Sequence, residues 1–347
     1  MNQHEERKGG ALRACFQVIT DTHVREDDNH LYNRHFDQAL KDILASGYAG
    51  QSSGIMHAGD ITDHGLAEEY EALDRIIAAN REGLPPLRYC VGNHDVALGR
   101  WDYRIGHYEQ HTGMRGTYHD HWVDGYHYIF LGTEAGLDRF ASLSEPQLAW
   151  LDAKLSEVAE DAAPGQPAFV FLHQPLKNTT AGSLEAQAWF GVEQDEALRA
   201  VLLRHPQAIL FTGHTHWHLE SERTMHQLGE HGQGPHLFNA GSVAYLWTDA
   251  DDQPSPAASD EPASEMAHEP GKPASEMAQL AAVAQQWDDA YVLGSQGYYV
   301  EIYDDAVLVR GRDFTRGTWI ETAQFRIALP VGVEVKTETQ KVEEQIG

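Results

Sequence analysis

Five short segments of this chain hold Asp, His and Asn side chains at spacings that suit divalent cations. In Val18-Ile19-Thr20-Asp21-Thr22-His23, Asp21 and His23 stand two apart. In extended backbone both point to one side and can grip one cation from a strand end. Taken alone, such a pair is equally a surface carboxylate beside a chance histidine. In Gly59-Asp60-Ile61-Thr62-Asp63-His64-Gly65, Gly59 lets the backbone turn tightly and sets Asp60 where a carboxylate can bridge two cations. Asp63 and Gly65 are expected to serve that turn and the next helix N-terminus. In Gly92-Asn93-His94-Asp95, Asn93 offers a neutral oxygen ligand and His94 is placed to donate a proton to a departing oxygen. Asp95 would orient that imidazole and raise its proton affinity. A turn closed by an Asx hydrogen bond is the competing reading of this segment. His173 follows a buried apolar run, and His214 and His216 form a His-x-His pincer with Gly213 admitting close backbone approach.

These residues must be held by secondary structure, and the pattern around them says which kind. Short apolar runs at 15–20, 54–57, 87–91, 126–131, 168–172, 208–212 and 236–238 alternate with amphipathic segments at 33–46, 66–80, 145–160 and 192–204. Strands alternating with helices argue for an α/β layered domain. Open α/β sheets gather ligands at the carboxyl ends of their strands, where all five segments fall. Ser144, Pro146 and Gln147 mark a helix start with a capping box. Residues 98–125 lack clean periodicity and are expected to be loops flanking the site.

Residues 1–11 and 330–347 read as polar tails on a domain spanning 12–329. Residues 249–280 are a low-complexity surface insertion with little to bury, running toward a short helix near 275–287; Pro-Ala-Ser-Glu-Met-Ala occurs twice, at 262–267 and 273–278. Residues 298–327 read as antiparallel strands that complete a sheet.

Composition bounds the function. Among 347 residues, 41% apolar content with eight Trp supports a substantial core. The formal net charge of -28 repels nucleic acid polymers and anionic membranes. Cys15 and Cys90 sit in apolar segments as buried small residues rather than a disulfide framework. No stretch approaches the ~18 apolar residues of a membrane span, and no leader precedes the first strand, so a cytoplasmic protein is expected. The 21 histidines are many for this length, and several fall at strand ends.

The set Asp21-x-His23, Gly59-Asp60-x-x-Asp63, Gly92-Asn93-His94-Asp95, His173 and Gly213-His214-x-His216, in this order, resembles the calcineurin-like metallophosphoesterase superfamily. Leu-Ser-Glu-Pro-Gln-Leu-Ala-Trp-Leu at 143–151 is similar to a helix start in its purple-acid-phosphatase-like and class III cyclic-nucleotide-phosphodiesterase-like branch. Asn239-Ala240-Gly241-Ser242 is similar to the Asn-Pro-Gly-Ser turn after that superfamily's last metal motif. The resemblance covers about residues 12–327. It implies a four-layer αββα sandwich of two mixed β-sheets flanked by helices. It also implies two divalent metal ions, one held by Asp21, His23, Asp60 and His216, the other by Asp60, Asn93, His173 and His214. A hydroxide held between them would attack phosphorus in line while His94 protonates the leaving group. The mixed N/O donors suit Mn, Fe or Zn.

Where the protein-phosphatase branch has Arg in its second motif and Glu in its third, this chain has His64 and Asp95, which disfavours a phosphoprotein substrate. A small anionic phosphodiester, with a cyclic nucleotide as leading candidate, is the expected substrate. A phosphomonoesterase, a nucleotide pyrophosphatase and a metal-bound scaffold are the alternatives. His64 and His218 are candidate substrate contacts, against the plainer reading that each is a hydrogen-bond partner or surface residue. Arg310, Arg312 and Arg316 would either attract an anion or line a solvated strand edge.

Overall fold

The computed structural model describes residues 10–97, 99–161, 165–187, 191–229, 232–248 and 291–330. The insertion at 249–280, the helix expected near 275–287 and the tail at 331–347 lie outside the described residues. In chain order the first half runs β1 (Leu12–Ile19), α1 (Leu31–Ala45), β2 (Ser52–His57), α2 (Ala67–Ala79), β3 (Leu87–Tyr89), α3 (Asn93–Val96), α4 (Trp101–Thr112), β4 (His119–Val123) and β5 (Tyr126–Phe130). The second half runs α5 (Glu145–Asp161), β6 (Ala168–Leu172), α6 (Asp195–Leu203), β7 (Ala208–Thr212), β8 (Met225–Gln227), β9 (His236–Asn239), β10 (Leu246–Trp247) and β11 (Tyr291–Val292). Three long strands end it, β12 (Gln296–Tyr303), β13 (Ala306–Asp313) and β14 (Thr318–Ala328).

The strands form two six-stranded mixed sheets, β14-β13-β12-β1-β2-β3 and β4-β5-β6-β7-β9-β8, with β10 and β11 as a separate pair. In the first sheet β1, β2 and β3 run parallel, and β12 lies antiparallel to β1 and carries β13 and β14 as a meander. In the second, β5, β6, β7 and β9 run parallel between antiparallel edges.

Alternation along the strands builds the layers. On β6, Phe169 and Phe171 enter the core between the sheets, while Val170 and Leu172 face the helical side. Phe16 and Val18 of β1, Phe211 of β7 and Tyr298 and Val300 of β12 fill the same central layer, so the sheets pack face to face. The apolar faces of α5 (Leu148, Leu151, Leu155) and α6 (Leu198, Leu202) cover the second sheet, and those of α1 (Phe36, Leu40, Ile43) and α2 (Tyr70, Leu73) cover the first. The result is the four-layer αββα sandwich.

Two local expectations need correcting. Residues 98–125 are not loops: they hold α4 and β4. The buried face of α4 is carried by Trp101, Ile105 and Tyr108, spaced i, i+4, i+7, and Gly113 closes it in the left-handed region at φ 73°. At α5, Ser144 Oγ accepts from Gln147 N–H at 3.3 Å as a cap should. Gln147 does not close the box, because its amide holds both backbone groups of Gly132 instead.

Outside the central core, Glu301 of β12 is fully buried and accepts from Tyr48, Tyr303 and Arg310. Burial pushes its carboxyl up, but these three donors outweigh that and hold it below the usual glutamate value of 4.5. A depressed carboxyl stabilises the fold above its unfolded pKa and loses that contribution as pH falls through the folded value. Glu301→Gln is therefore expected to lower stability at neutral pH by about 2 kcal/mol and to flatten the acid limb below about pH 4.5. Urea melts of both proteins across that range check it. The three C-terminal arginines are spent on the fold: Arg310 also lies over Trp319, Arg312 pairs with Asp42, and Arg316 pairs with Asp313.

Candidate metal centre

Parallel strands of both sheets end at one edge of the sandwich, and the loops leaving β1, β2, β3, β6 and β7 bring the five sequence segments together. Two donor clusters result. Asp21, His23 and His216 form one, with His216 Nε2 2.9 Å from Asp21 Oδ1 and 3.1 Å from His23 Nε2. Asp60, His173 and His214 form the other, with His173 Nε2 3.0 Å from Asp60 Oδ2. Asn93 joins the second, its Oδ1 3.0 Å from His214 Nδ1. Asp60 Oδ2 also lies 3.7 Å from His23 Nε2, so one carboxylate faces both clusters.

The backbone is bent to make this possible. Asp21, His23, Asp60, His214 and His216 all have positive φ, between 41° and 71°. Non-glycine residues in that region cost of order 1–3 kcal/mol each, and such strain gathers at functional sites. Close approach explains two glycines. A Cβ on Gly213 would stand 2.4 Å from Asp21 Oδ2, and one on Gly92 would stand 2.2 Å from the backbone nitrogen of Asp60.

Each imidazole is oriented from behind. His173 Nδ1–H donates to the Ala58 carbonyl at 2.9 Å and His216 Nδ1–H to the Tyr245 carbonyl at 3.2 Å, which leaves both Nε2 atoms facing inward. His23 Nδ1 lies 2.9 Å from Asp63 Oδ1. Asp63 was expected to serve the helix start, yet Glu69 does that by accepting from His64 N and Leu66 N. Asp63 instead anchors His23, pairs with Arg25, and accepts on its carbonyl from His94 Nδ1 at 2.7 Å.

Asp95 also needs correcting. It does not contact His94. Buried, it accepts from the backbone of Ile61, Thr62 and Gly92 and from the Thr62 hydroxyl, so it clamps the loop carrying Asp60 to the loop carrying Asn93. Burial, reinforced by Asp60, pushes its carboxyl up to about 6. His94 stands at the mouth with its side chain 41% exposed; it is in neither of these two clusters but groups with His23 and Asp63, its ring centroid 4.5 Å from that of His23. His64, 40% exposed, pairs with Glu69 at 2.9 Å beside Asp63. His218 turns to Glu220 and belongs to neither cluster.

Sequence reasoning missed His57 and Gln174 as supports and gave the turn at 239–242 no bracing role. His57 is buried and held neutral, its proton affinity pushed down to about 3 by desolvation. Its Nδ1 accepts from Gly59 N–H, so Nε2–H donates to the Thr22 hydroxyl, which donates on to the Ile61 carbonyl. That chain locks the first ligand loop to the second. Gln174 Nε2 donates to Asn93 Oδ1 at 3.2 Å. Asn239 holds Thr215 and Trp217, and Ser242 Oγ donates to the Asp21 carbonyl, so the turn at 239–242 braces the His-x-His loop and the first motif together.

The donors fit a pair of divalent cations. Among the described residues, buried His173 Nε2 has no hydrogen-bond partner, although it points at the Asp60 carboxylate. Three carboxylate-facing imidazoles and an amide oxygen packed at these distances need positive charge among them. Without cations, protons supply it: burial lowers the proton affinity of His173, but Asp60 and Asp21 outweigh this and raise it to about 9. His214 goes the other way, down to about 3, through burial and the nearby His173. Metal and proton compete for the His173–Asp60 pair, so metal affinity is expected to weaken as pH is lowered.

The geometry can be set beside known proteins. The family model described as calcineurin-like phosphoesterase matches residues 16–218. No curated protein matches the chain by sequence. Among solved structures, a dimetal phosphatase from Danio rerio is 15% identical with a TM-score of 0.53, covering 92% of this chain and 100% of its own. A purple acid phosphatase from yellow lupin seeds is 14% identical with a TM-score of 0.58, over 91% of this chain and 53% of its own. GAP50, the anchor in the inner membrane complex of Plasmodium, is 11% identical with a TM-score of 0.50, over 95% and 91%. At these identities the likeness concerns the fold.

Proposed function

The chain belongs to the calcineurin-like phosphoesterase family and is a metal-dependent phosphoester hydrolase, and we propose that its substrate is a small phosphodiester, with a cyclic nucleotide as leading candidate. The observation that carries this reading is the complete donor set split into two clusters around Asp60, with His94 exposed at its mouth. We assign Asp21, His23, Asp60 and His216 to one ion and Asp60, Asn93, His173 and His214 to the other, with Mn, Fe or Zn as the candidates. When bound, such a pair supplies Lewis-acid activation of water and offsets charge on the phosphoryl oxygens.

The chain's own residues do the rest. Asp63 accepts from His94 Nδ1–H through its carbonyl, which leaves Nε2 as the atom that gives a proton to the leaving oxygen. Asp95 fixes the loops that set Asp60 and Asn93 against each other. His64, held by Glu69 and with its proton affinity raised mainly by that hydrogen bond, is the residue we place against a phosphoryl oxygen.

A diester fits this mouth better than a monoester. A monoester dianion calls for a fixed guanidinium, and at the position following Asp63 this chain has His64, a weaker and titratable donor. Arg25, the nearby cation, is committed to Asp63. A manganese-loaded sample should therefore hydrolyse bis(p-nitrophenyl) phosphate with a kcat/KM at least about 10-fold above that for p-nitrophenyl phosphate, a difference of about 1.4 kcal/mol in the barrier. The reverse order would move the assignment to a phosphomonoesterase. Loss of neither activity after exhaustive chelation would remove the metal-dependent reading altogether.

A further inference from the structure

The His23–His216 side of the centre carries an aromatic ledge that holding the metals does not require. Tyr245 covers His216, with ring centroids 4.2 Å apart, and its ring is 5.8 Å from His23. Tyr32, in the first turn of α1, packs 5.3 Å from Tyr245 with the planes inclined by 32°, and 6.4 Å from His23. His30 stands edge-on to Tyr32 at 4.5 Å, and Trp247 lies 6.4 Å from Tyr245. Both tyrosines are half-buried.

The ledge is built rather than incidental. His35 of α1 bonds the Ala244 carbonyl at 2.7 Å, which ties the turn bearing Tyr245 to the helix bearing Tyr32. The Tyr245 carbonyl in turn is the acceptor that orients His216. Two rings from distant parts of the chain are thus fixed relative to each other and to two proposed metal ligands.

We infer that Tyr32 and Tyr245 form the subsite for a planar aromatic group of the ester, a nucleobase being the natural case. This rests on the reading above that the phosphoryl group sits at the donor clusters. The two tilted rings, 5.3 Å apart, offer an aromatic surface beside the donors, and tyrosine faces take any base because every base has a π-face. Two aromatic rings side by side fit a flat group better than a second phosphate.

The test measures binding without turnover. A nucleoside 5′-methylenephosphonate and ethylphosphonate, whose C–P bonds resist hydrolysis, are titrated calorimetrically into the full-length, manganese-loaded protein. The wild type should bind the nucleoside compound about 10-fold or more tightly than ethylphosphonate. Tyr32→Ala and Tyr245→Ala should each reduce that ratio, the double variant should abolish it, and the Phe variants should keep it. Using the ratio separates stacking from any loosening of His216, which weakens both ligands together. Equal affinities in the wild type, or a ratio that survives in the double variant, would overturn the subsite. If the wild type binds neither phosphonate, the phosphoester reading fails and takes the subsite with it.

Discussion

Asp60→Asn should lower kcat/KM on bis(p-nitrophenyl) phosphate by about 10³–10⁴-fold or more, with manganese stoichiometry falling from two toward one. Asp60 is the carboxylate that faces both clusters, 3.0 Å from His173 and 3.7 Å from His23. Its other oxygen accepts from the backbone of His94 at 2.9 Å, so the side chain is held on both sides. Asp21 Oδ1 also reaches toward the second cluster, 3.8 Å from His173 Nε2, but its short contact is to His216 at 2.9 Å. Asn is the informative substitution because Asp60 has a φ of 51°, a conformation that Asn tolerates better than Ala. Asp60→Ala would mix loss of the shared donor with backbone strain. A folded Asp60→Asn protein with full turnover would sink the two-metal assignment.

Much of this site was legible because its donors are local. Asp21 and His23, or His214 and His216, are two residues apart, and a strand end alone fixes which way they point. The layers were legible for a similar reason: the alternation on β6 and β7 shows in the sequence as continuous apolar runs. What escaped was set by distant contacts. Asp63 reaches His23 across 40 residues, and Asp95 reaches Thr62 across 33. Nothing in the local pattern of either carboxylate says which neighbour it will meet. Asp95 adjoins His94 in sequence, but α3 turns the two side chains apart, and adjacency was misread as contact. The helix α4 escaped because its buried stripe is made of Trp, Ile and Tyr among polar residues, a weak apolar signal.

The relatives of this fold include a dimetal phosphatase and an anchor protein, so the fold by itself does not decide between catalysis and support. The decision lies with side chains. All seven donors are present here, the five of left-handed φ among them, and such strain gathers at functional sites.

His94→Ala is accordingly expected to keep both metals while reducing kcat on a diester with an alkoxide leaving group by about 10²–10⁴-fold. Metal retention follows from the contacts. The bond from residue 94 to Asp60 comes from the backbone nitrogen, which alanine preserves, and the imidazole, although grouped with His23 and Asp63, turns its Nδ1 to the Asp63 carbonyl. The rate loss should depend on the leaving group. An alkoxide, such as the ribose oxygen released when a cyclic nucleotide opens, needs a proton as the bond breaks. p-Nitrophenolate leaves as a stable anion and needs none, so bis(p-nitrophenyl) phosphate should lose far less. Measuring kcat for both esters alongside metal content therefore separates the roles. An equal fall on both esters would make His94 a binding residue rather than an acid, and loss of metal would make it a ligand. Asp63 supplies the companion test, since its carbonyl orients His94 while its carboxylate anchors His23. Asp63→Asn leaves the carbonyl in place, so it should weaken metal affinity by about 10–100-fold and leave the dependence on leaving group intact.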